Sequence, residues 1–200
     1  MSDYISQKEI SKIENIKGEV RGVSLKGDGN FVLKEKGEEG LKKLQEEMIK
    51  AGFPVNYRTI RAMNFYPLKL DVVNLILIKR IFNFDDKKLQ ELGWFLAKSS
   101  LVLKLYMKYF ASLEKITKQA PAIWTKSYTV GELQVSEVNE KEKYLAIRIK
   151  DFKIHALYCQ IFIGYFSSVV QMVTGGKISS AHPKCAFEGQ DFCEFLIKWE

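Results

Sequence analysis

The sequence predicts an α+β fold in which a helical N-terminal part precedes a mostly antiparallel sheet that carries one helix. Apolar residues recur at helical spacing through residues 1–120, whereas residues 124–200 show alternating, strand-like segments around one uncharged helical segment. The chain has 200 residues, of which 46% are hydrophobic, and this is enough to bury one sizeable core. We therefore expect a single domain over residues 1–200.

The helical part shows recognisable start and stop signals. Ser6 is a candidate N-cap, Asp71 and Asp85 are candidate caps for two later helices, and Gly52 and Pro121 are candidate stops. A strand is expected over residues 19–25, followed by a turn at Gly-Asp-Gly-Asn, residues 27–30. The predicted helices lie over residues 6–17, 35–51, 72–82, 86–98 and 101–118.

The C-terminal half predicts a strand-strand-helix-strand-strand order. In the last strand, Cys193, Phe195, Ile197 and Trp199 share one face. The predicted strands lie over residues 128–135, 144–149, 177–187 and 192–199, and the helix lies over residues 155–173. This order is typical of an antiparallel sheet with a helix on one face.

The helix of this half is unusually apolar. Residues 154–176 contain no Asp, Glu, Lys or Arg and are long enough to cross a bilayer. The same stretch carries several polar residues and lies between charged strands, so a buried core helix is favoured and no membrane span is expected. No signal peptide pattern opens the chain, and its three cysteines form an odd number. Disulfides are therefore not expected, and the cytoplasm is the expected compartment.

Charge composition gives no sign of a nucleic-acid site. Lys and Arg number 31 and Asp and Glu number 24, for a net charge of +7, yet no run of five basic residues occurs. A solvated surface accounts for this pattern, and direct nucleic-acid binding is not expected.

Three cysteines and one of the two histidines cluster in the C-terminal half. Cys159 lies in the apolar helix, His182 and Cys185 lie three apart at the end of a strand, and Cys193 follows the next turn. Thiolate and imidazole are ligands that zinc prefers. Residue types alone leave two alternatives open, a metal site or buried free cysteines with a hydrogen-bonded histidine. Convergence of His182 and Cys185 also requires a bend or bulge in the strand, which Pro183 makes plausible.

Two segments of this half, 159–165 and 182–195, resemble the 4-vinyl-reductase domain. This domain occurs in the sensory modules of phenol- and xylene-responsive bacterial transcription activators and in proteins linked to bacteriochlorophyll synthesis. The resemblance covers residues 124–199 and implies a zinc ion held by four protein ligands, with a histidine where the activators carry an acidic residue. The implied ligands are Cys159, His182, Cys185 and Cys193.

The resemblance also implies a small-molecule sensor that forms a homodimer and acts on a protein partner in trans. A small hydrophobic or aromatic ligand would bind among aromatic side chains, although for each of these residues taken singly an ordinary core position is the favoured interpretation. The candidate ligand-binding residues are Tyr106, Phe110, Trp124, Tyr128, Tyr158 and Phe162. Alternatives are an accessory factor or enzyme of tetrapyrrole vinyl reduction and an interaction module similar to vesicle-tethering subunits. Catalysis is not favoured, because no Ser-His-acid set and no dinucleotide-binding loop is found.

The N-terminal half is weakly similar to the haem nitric-oxide-binding and vesicle-tethering families. The shared features are Gly37 to Leu41 and the Tyr66-Pro67 pair. In the haem family the proximal histidine should lie near residues 92–110, and this stretch has no histidine. Haem is therefore not expected.

Overall fold

The computed structural model describes residues 2–100 and 112–200 and confirms the α+β fold class. The chain divides into two compact units, one ending at Leu89 and the other spanning Gln90–Glu200. The prediction of a single domain remains a prediction. The predicted helix over residues 101–118 lies partly outside the described residues, as do the candidate ligand-binding residues Tyr106 and Phe110.

The first unit is helical, with one short two-stranded sheet. Strand β1 pairs antiparallel with β2, and α2 packs against α3. Its elements are α1 (Gln7–Ile13), β1 (Glu19–Arg21), α2 (Gly22–Lys50), β2 (Phe65–Pro67) and α3 (Leu68–Ile81). Helix α1 begins at Ser6 with a capping box, as the sequence predicts.

Three predictions for this unit are wrong. The strand expected over residues 19–25 ends at Arg21, because α2 begins at Gly22. The expected turn at residues 27–30 lies inside α2, where Gly29 leaves room for the Tyr57 ring, since a Cβ there would lie 2.6 Å from Tyr57 Cδ1. The conformational break in α2 falls at Gly37, whose φ of 69° is a left-handed value that suits glycine. Asp71 is not a cap, because α3 begins earlier, after Pro67, and buries Asp71 in its interior.

The division between the two units falls within helix α4 (Asp86–Ser99). After α4, the second unit contains a helix, a hairpin, another helix and a second hairpin. Asp85 Oδ1 accepts a hydrogen bond from the Lys88 N–H at 2.8 Å, so this predicted cap is confirmed. The later elements are α5 (Leu113–Ser127), β3 (Glu132–Asn139), β4 (Tyr144–Lys150), α6 (Leu157–Thr174), β5 (Ile178–Lys184), a 3-10 turn (Ala186–Glu188) and β6 (Phe192–Trp199).

Pro121 does not end a helix, contrary to expectation. Pro121 lies within α5, and the helix continues beyond it to Ser127. One turn earlier, the Thr117 hydroxyl contacts the Leu113 and Glu114 carbonyl oxygens as a hydrogen-bond donor, at 2.9 and 3.0 Å. A helix can accept an interior proline where tertiary packing outweighs the lost backbone hydrogen bond. The Leu113 and Ile116 side chains of α5 are buried, and such packing supports the helix here.

The sheet of the second unit is antiparallel, with strand order β3-β4-β6-β5, and α6 packs on β5 and β6. Among the described residues, α6 alone has the length and apolar composition to cross a bilayer, and 56% of it is buried inside the protein. Because the sheet covers one face of α6, its apolar composition is explained by the core of this unit.

Candidate metal centre and aromatic cluster

The fold brings the four predicted metal ligands together. The candidate donor atoms of Cys159, His182, Cys185 and Cys193 all lie within 4.8 Å of one another. Cys159 Sγ lies 3.9 Å from both Cys185 Sγ and Cys193 Sγ. Three elements contribute, because α6 supplies Cys159, β6 supplies Cys193, and His182 and Cys185 come from β5 and the residue that follows it.

A bulge in β5 allows His182 and Cys185 to converge. The β5–β6 register shifts between Ala181, which pairs with Leu196, and Lys184, which pairs with Glu194. From one pair to the next, β5 advances by three residues and β6 by two, so β5 contains one extra residue. The extra residue reverses the side-chain alternation, and His182 and Cys185 can then face the same side of the sheet. The sequence predicts this irregularity at Pro183, and the structure confirms it.

The imidazole of His182 is held by β6. Its ring stacks on Phe195, with centroids 4.7 Å apart and planes inclined by 12°. Its Nε2 atom is buried and makes no hydrogen bond to any of the described residues. A buried polar atom without a partner is costly, and a metal ion would satisfy it.

The thiols perturb one another. The Cys159 sulfhydryl lowers the pKa of Cys193 to about 4, with smaller contributions from the nearby His182 imidazole and the Ala186 N–H. The interaction with Cys193 and burial raise the pKa of Cys159. The Ala186 N–H lies 3.4 Å from Cys193 Sγ. The group therefore favours at least one thiolate, the form in which cysteine binds metals.

The predicted aromatic residues within the described chain also come together. Trp124 contacts Tyr128, with ring centroids 4.5 Å apart, and Phe162, with centroids 5.5 Å apart. Tyr158 and Phe162 are 5.6 Å apart. The Trp124 indole N–H donates to the Gly131 carbonyl at 2.9 Å, so this ring is fixed at the beginning of the sheet. We call Trp124, Tyr128, Phe152, Tyr158 and Phe162 together the aromatic cluster.

Phe152 belongs to the aromatic cluster but was not predicted from the sequence. Its ring lies 5.1 Å from both Trp124 and Tyr128, and 5.2 Å from Tyr158, at the centre of the cluster. It follows Asp151, whose φ is 53°, directly after β4. An aromatic residue just past a buried strand is the signal that could have identified it.

Structure comparison identifies the fold class. The chain has the fold of H-NOX domains. An H-NOX protein from S. oneidensis in the Fe(II)NO state matches with a TM-score of 0.69 and 13% identity, over 90% of this chain and 99% of that one. A mutant of the S. oneidensis protein in the Fe(II) state gives a TM-score of 0.71 at 13% identity, over 90% and 96% of the two chains.

A third match is the Fe(II) unliganded H-NOX protein from K. algicida, with a TM-score of 0.62 and 14% identity over 90% of this chain and 96% of that one. No family profile matches the sequence, and no curated protein matches it. At these identities the matches establish the fold.

These matches correct two expectations. The resemblance to the 4-vinyl-reductase domain is wrong, because the similar structures are H-NOX domains over nine-tenths of the chain. The prediction of zinc as the cofactor rested on that resemblance and is also wrong, because the matched proteins are described in Fe(II) ligation states. Motifs confined to the C-terminal half supported the wrong family because they describe one hairpin and one helix.

The histidines and cysteines of this chain do not fit the iron of a haem. The sequence has two histidines and three cysteines. His182 and all three cysteines are gathered in the cluster described above. His155 Nδ1 accepts a hydrogen bond from the Leu157 N–H at 3.2 Å. Histidine and cysteine are common axial ligands of haem iron, and here four of the five lie in one cluster while the fifth, His155, is hydrogen-bonded through Nδ1.

Proposed function

We propose that this chain is a small-molecule-binding regulatory protein whose second unit contains a structural metal site. Its fold is that of H-NOX proteins, whose matched structures are described with NO bound to Fe(II) or with Fe(II) unliganded. The observation that carries the proposal is the convergence of four metal-ligating side chains from three elements. We propose Cys159, His182, Cys185 and Cys193 as ligands of one thiophilic transition-metal ion.

Such an ion would have a structural role. Four protein ligands complete a tetrahedral shell and leave no position for water or substrate. The ion would tie the β5–β6 hairpin to α6, because Cys159 is on the helix and Cys185 and Cys193 are at the hairpin end. Part of its binding free energy would then become folding free energy of the second unit.

We propose that the aromatic cluster binds a small hydrophobic or aromatic molecule. Trp124, Tyr158 and Phe162 are 4%, 3% and 6% exposed, so a ligand would displace ring–ring contacts rather than bind on the surface. Aromatic walls with few polar groups suit an apolar ligand. Two residues of the cluster precede β3 in sequence and three follow β4. A ligand that moves these rings would therefore also move the ends of the β3–β4 hairpin.

A ligand screen tests this function. Full-length protein is screened by thermal shift against aromatic and lipid compounds, and protein purified from its host is studied by native mass spectrometry. We expect at least one compound to raise Tm in the parent and to lose that effect in Phe162→Leu. Phe82→Leu, an aromatic substitution in the first unit, serves as the matched control and should keep the shift. An absence of any co-purified or stabilising molecule would contradict the proposal.

Homodimerisation, a protein partner in trans and a cytoplasmic location also belong to this proposal. Light scattering on the full chain, with and without the stabilising compound, measures the oligomeric state. A monomer under both conditions would contradict the dimer.

A further inference from the structure

The first unit encloses a pair of carboxyl groups far from water. Asp28 on α2 and Asp71 on α3 are 1% and 2% exposed. The two carboxyl groups interact directly where α2 packs against α3. A hydrogen bond between two carboxyl groups requires a proton on one of them, because an ionised carboxylate can only accept.

The neighbouring polar groups are neutral and oriented toward this pair. Asn74 Nδ2 donates to Asp28 Oδ2 at 2.8 Å. The Tyr57 hydroxyl donates to Asn74 Oδ1, which fixes the amide with its NH2 group toward Asp28. The Tyr57 ring is itself located by the space that Gly29 leaves open. These contacts form a buried chain from Tyr57 through Asn74 to Asp28.

The second oxygen of Asp28, Oδ1, is available to interact with Asp71. In the described part of the chain, no amide, hydroxyl or cationic group makes a hydrogen bond to Asp28 Oδ1. The titratable groups that face Asp28 are Asp71 from α3 and the Tyr57 phenol from the segment between α2 and β2. No lysine or arginine among the described residues forms an ion pair with Asp28, so nothing there compensates a second negative charge.

We propose that Asp28 and Asp71 share one proton at neutral pH and form a pH-operated latch between α2 and α3. With the proton in place, the pair joins two helices by a hydrogen bond. Without it, two adjacent negative charges lie in a core that includes Leu25 and Val32, both 0% exposed. Two carboxylates in contact cannot both ionise readily, so loss of the proton weakens the packing of α2 on α3.

The direction of the pH effect follows from linkage. Burial and the charge of Asp71 raise the pKa of Asp28 well above its usual value. A folded-state pKa above the unfolded one means that the folded chain binds the proton more tightly. The stabilisation is fully present below the unfolded pKa of about 4 and is lost as pH rises toward the folded-state pKa. In this window the folding equilibrium constant falls about tenfold per pH unit for one proton.

Chemical denaturation of the full chain between about pH 5 and pH 8 tests the latch. We compare the parent with Asp28→Asn, whose amide can donate to Asp71 without titrating. The ratio of the parent's folding constant to that of Asp28→Asn should fall about tenfold per pH unit over the titration window. Glu39→Gln, which removes an exposed carboxyl from the same helix, should keep a constant ratio to the parent. A constant ratio for Asp28→Asn would overturn the proposal.

Infrared spectroscopy of the parent detects the shared proton directly, and it tests the proposal even if Asp28→Asn does not fold. We expect a protonated-carboxyl C=O band near neutral pH, which disappears at higher pH and is absent in Asp71→Asn at the same pH. Lack of this band in the parent would overturn the proposal. So would stabilisation of the parent by added Ca²⁺ at alkaline pH that Asp71→Asn does not show, since a cation would then occupy the place given to the proton.

Discussion

Glu9 shows how one side chain can serve two structural purposes. Its carboxylate completes the capping box of α1 by accepting from the Ser6 N–H at 3.0 Å, and it accepts from Arg80 of α3 at 2.6 Å. The hydrogen bond from Arg80, followed by those from Ser6, lowers the pKa of Glu9 to about 2. The sequence predicts the Ser6 cap from local spacing, whereas the Arg80 contact joins residues 71 positions apart and has no local signal.

We expect Glu9→Gln to destabilise the protein by about 1 kcal/mol near pH 7, since this partly exposed ion pair is screened by water. The folded-state pKa is depressed, so the contribution is present above the unfolded pKa of about 4.3 and is lost as pH falls through the folded value. Denaturant melts at several pH values measure this. Glu14→Gln, which removes an exposed carboxyl just after α1, is the control. A difference between parent and Glu9→Gln that persists unchanged in acid would contradict the ion-pair explanation.

At the scale of elements, helices α4 and α6 cross unusually closely through two glycines. A Cβ on Gly93 would lie 1.9 Å from the Ile161 carbonyl oxygen, and a Cβ on Gly164 would lie 1.8 Å from the Gln90 carbonyl oxygen. Beside them, the Gln90 side chain donates to Gln160 at 2.8 Å. Because backbone atoms face both glycines, neither helix can accept a methyl group without moving.

Gly93→Ala and Gly164→Ala should each destabilise the protein by about 3 kcal/mol, although alanine favours helix by about 1 kcal/mol. Lys98→Ala in the same helix α4 is the control and should change stability little, because Lys98 is exposed. Equilibrium denaturation measures all three. Unchanged or increased stability in both glycine variants would show that the helices do not cross at these positions.

Local patterns predict most elements of the second unit but mislead at specific places in the first. The strand-strand-helix-strand-strand order follows from alternation and from one uncharged helix, both of which are visible in the sequence. The strand and turn expected at residues 19–30 were wrong beyond Arg21, because the glycines there serve close packing inside α2. Asp71 resembles a cap in sequence, and only its distant partner Asp28 explains why it is buried.

At the scale of the whole molecule, fold and site were predictable to different extents. Residue types alone left Cys159, His182, Cys185 and Cys193 as either a metal site or buried cysteines beside a histidine, and the structure brings these four side chains together. The fold as a whole could not be predicted from short Cys and His motifs, because they describe a local hairpin, whereas the similarity to H-NOX structures extends over 90% of the chain. The weak similarity of the N-terminal half to haem nitric-oxide-binding proteins was the better guide to the fold.

The engagement of both histidines predicts the response to haem. We expect added haemin to give the same absorption spectrum and affinity with the parent as with a His155→Ala, His182→Ala double variant, because His182 lies in the cysteine cluster and His155 is hydrogen-bonded through Nδ1. Absorption titrations of the two full-length proteins, with an H-NOX protein as positive control, make the comparison. A Soret shift that requires either histidine would contradict this reading of the site.

A cobalt titration tests whether Cys159, His182, Cys185 and Cys193 form one metal site. Metal-depleted, reduced full-length protein is titrated with Co²⁺ while the thiolate-to-cobalt absorption and the Tm are followed. Ser179→Ala, an exposed substitution on β5, is the control. We expect saturation at about one Co²⁺ per chain with a rise in Tm, both retained in Ser179→Ala and lost in Cys193→Ser. Absence of thiolate-to-cobalt bands in the parent, or the same bands in Cys193→Ser, would contradict it.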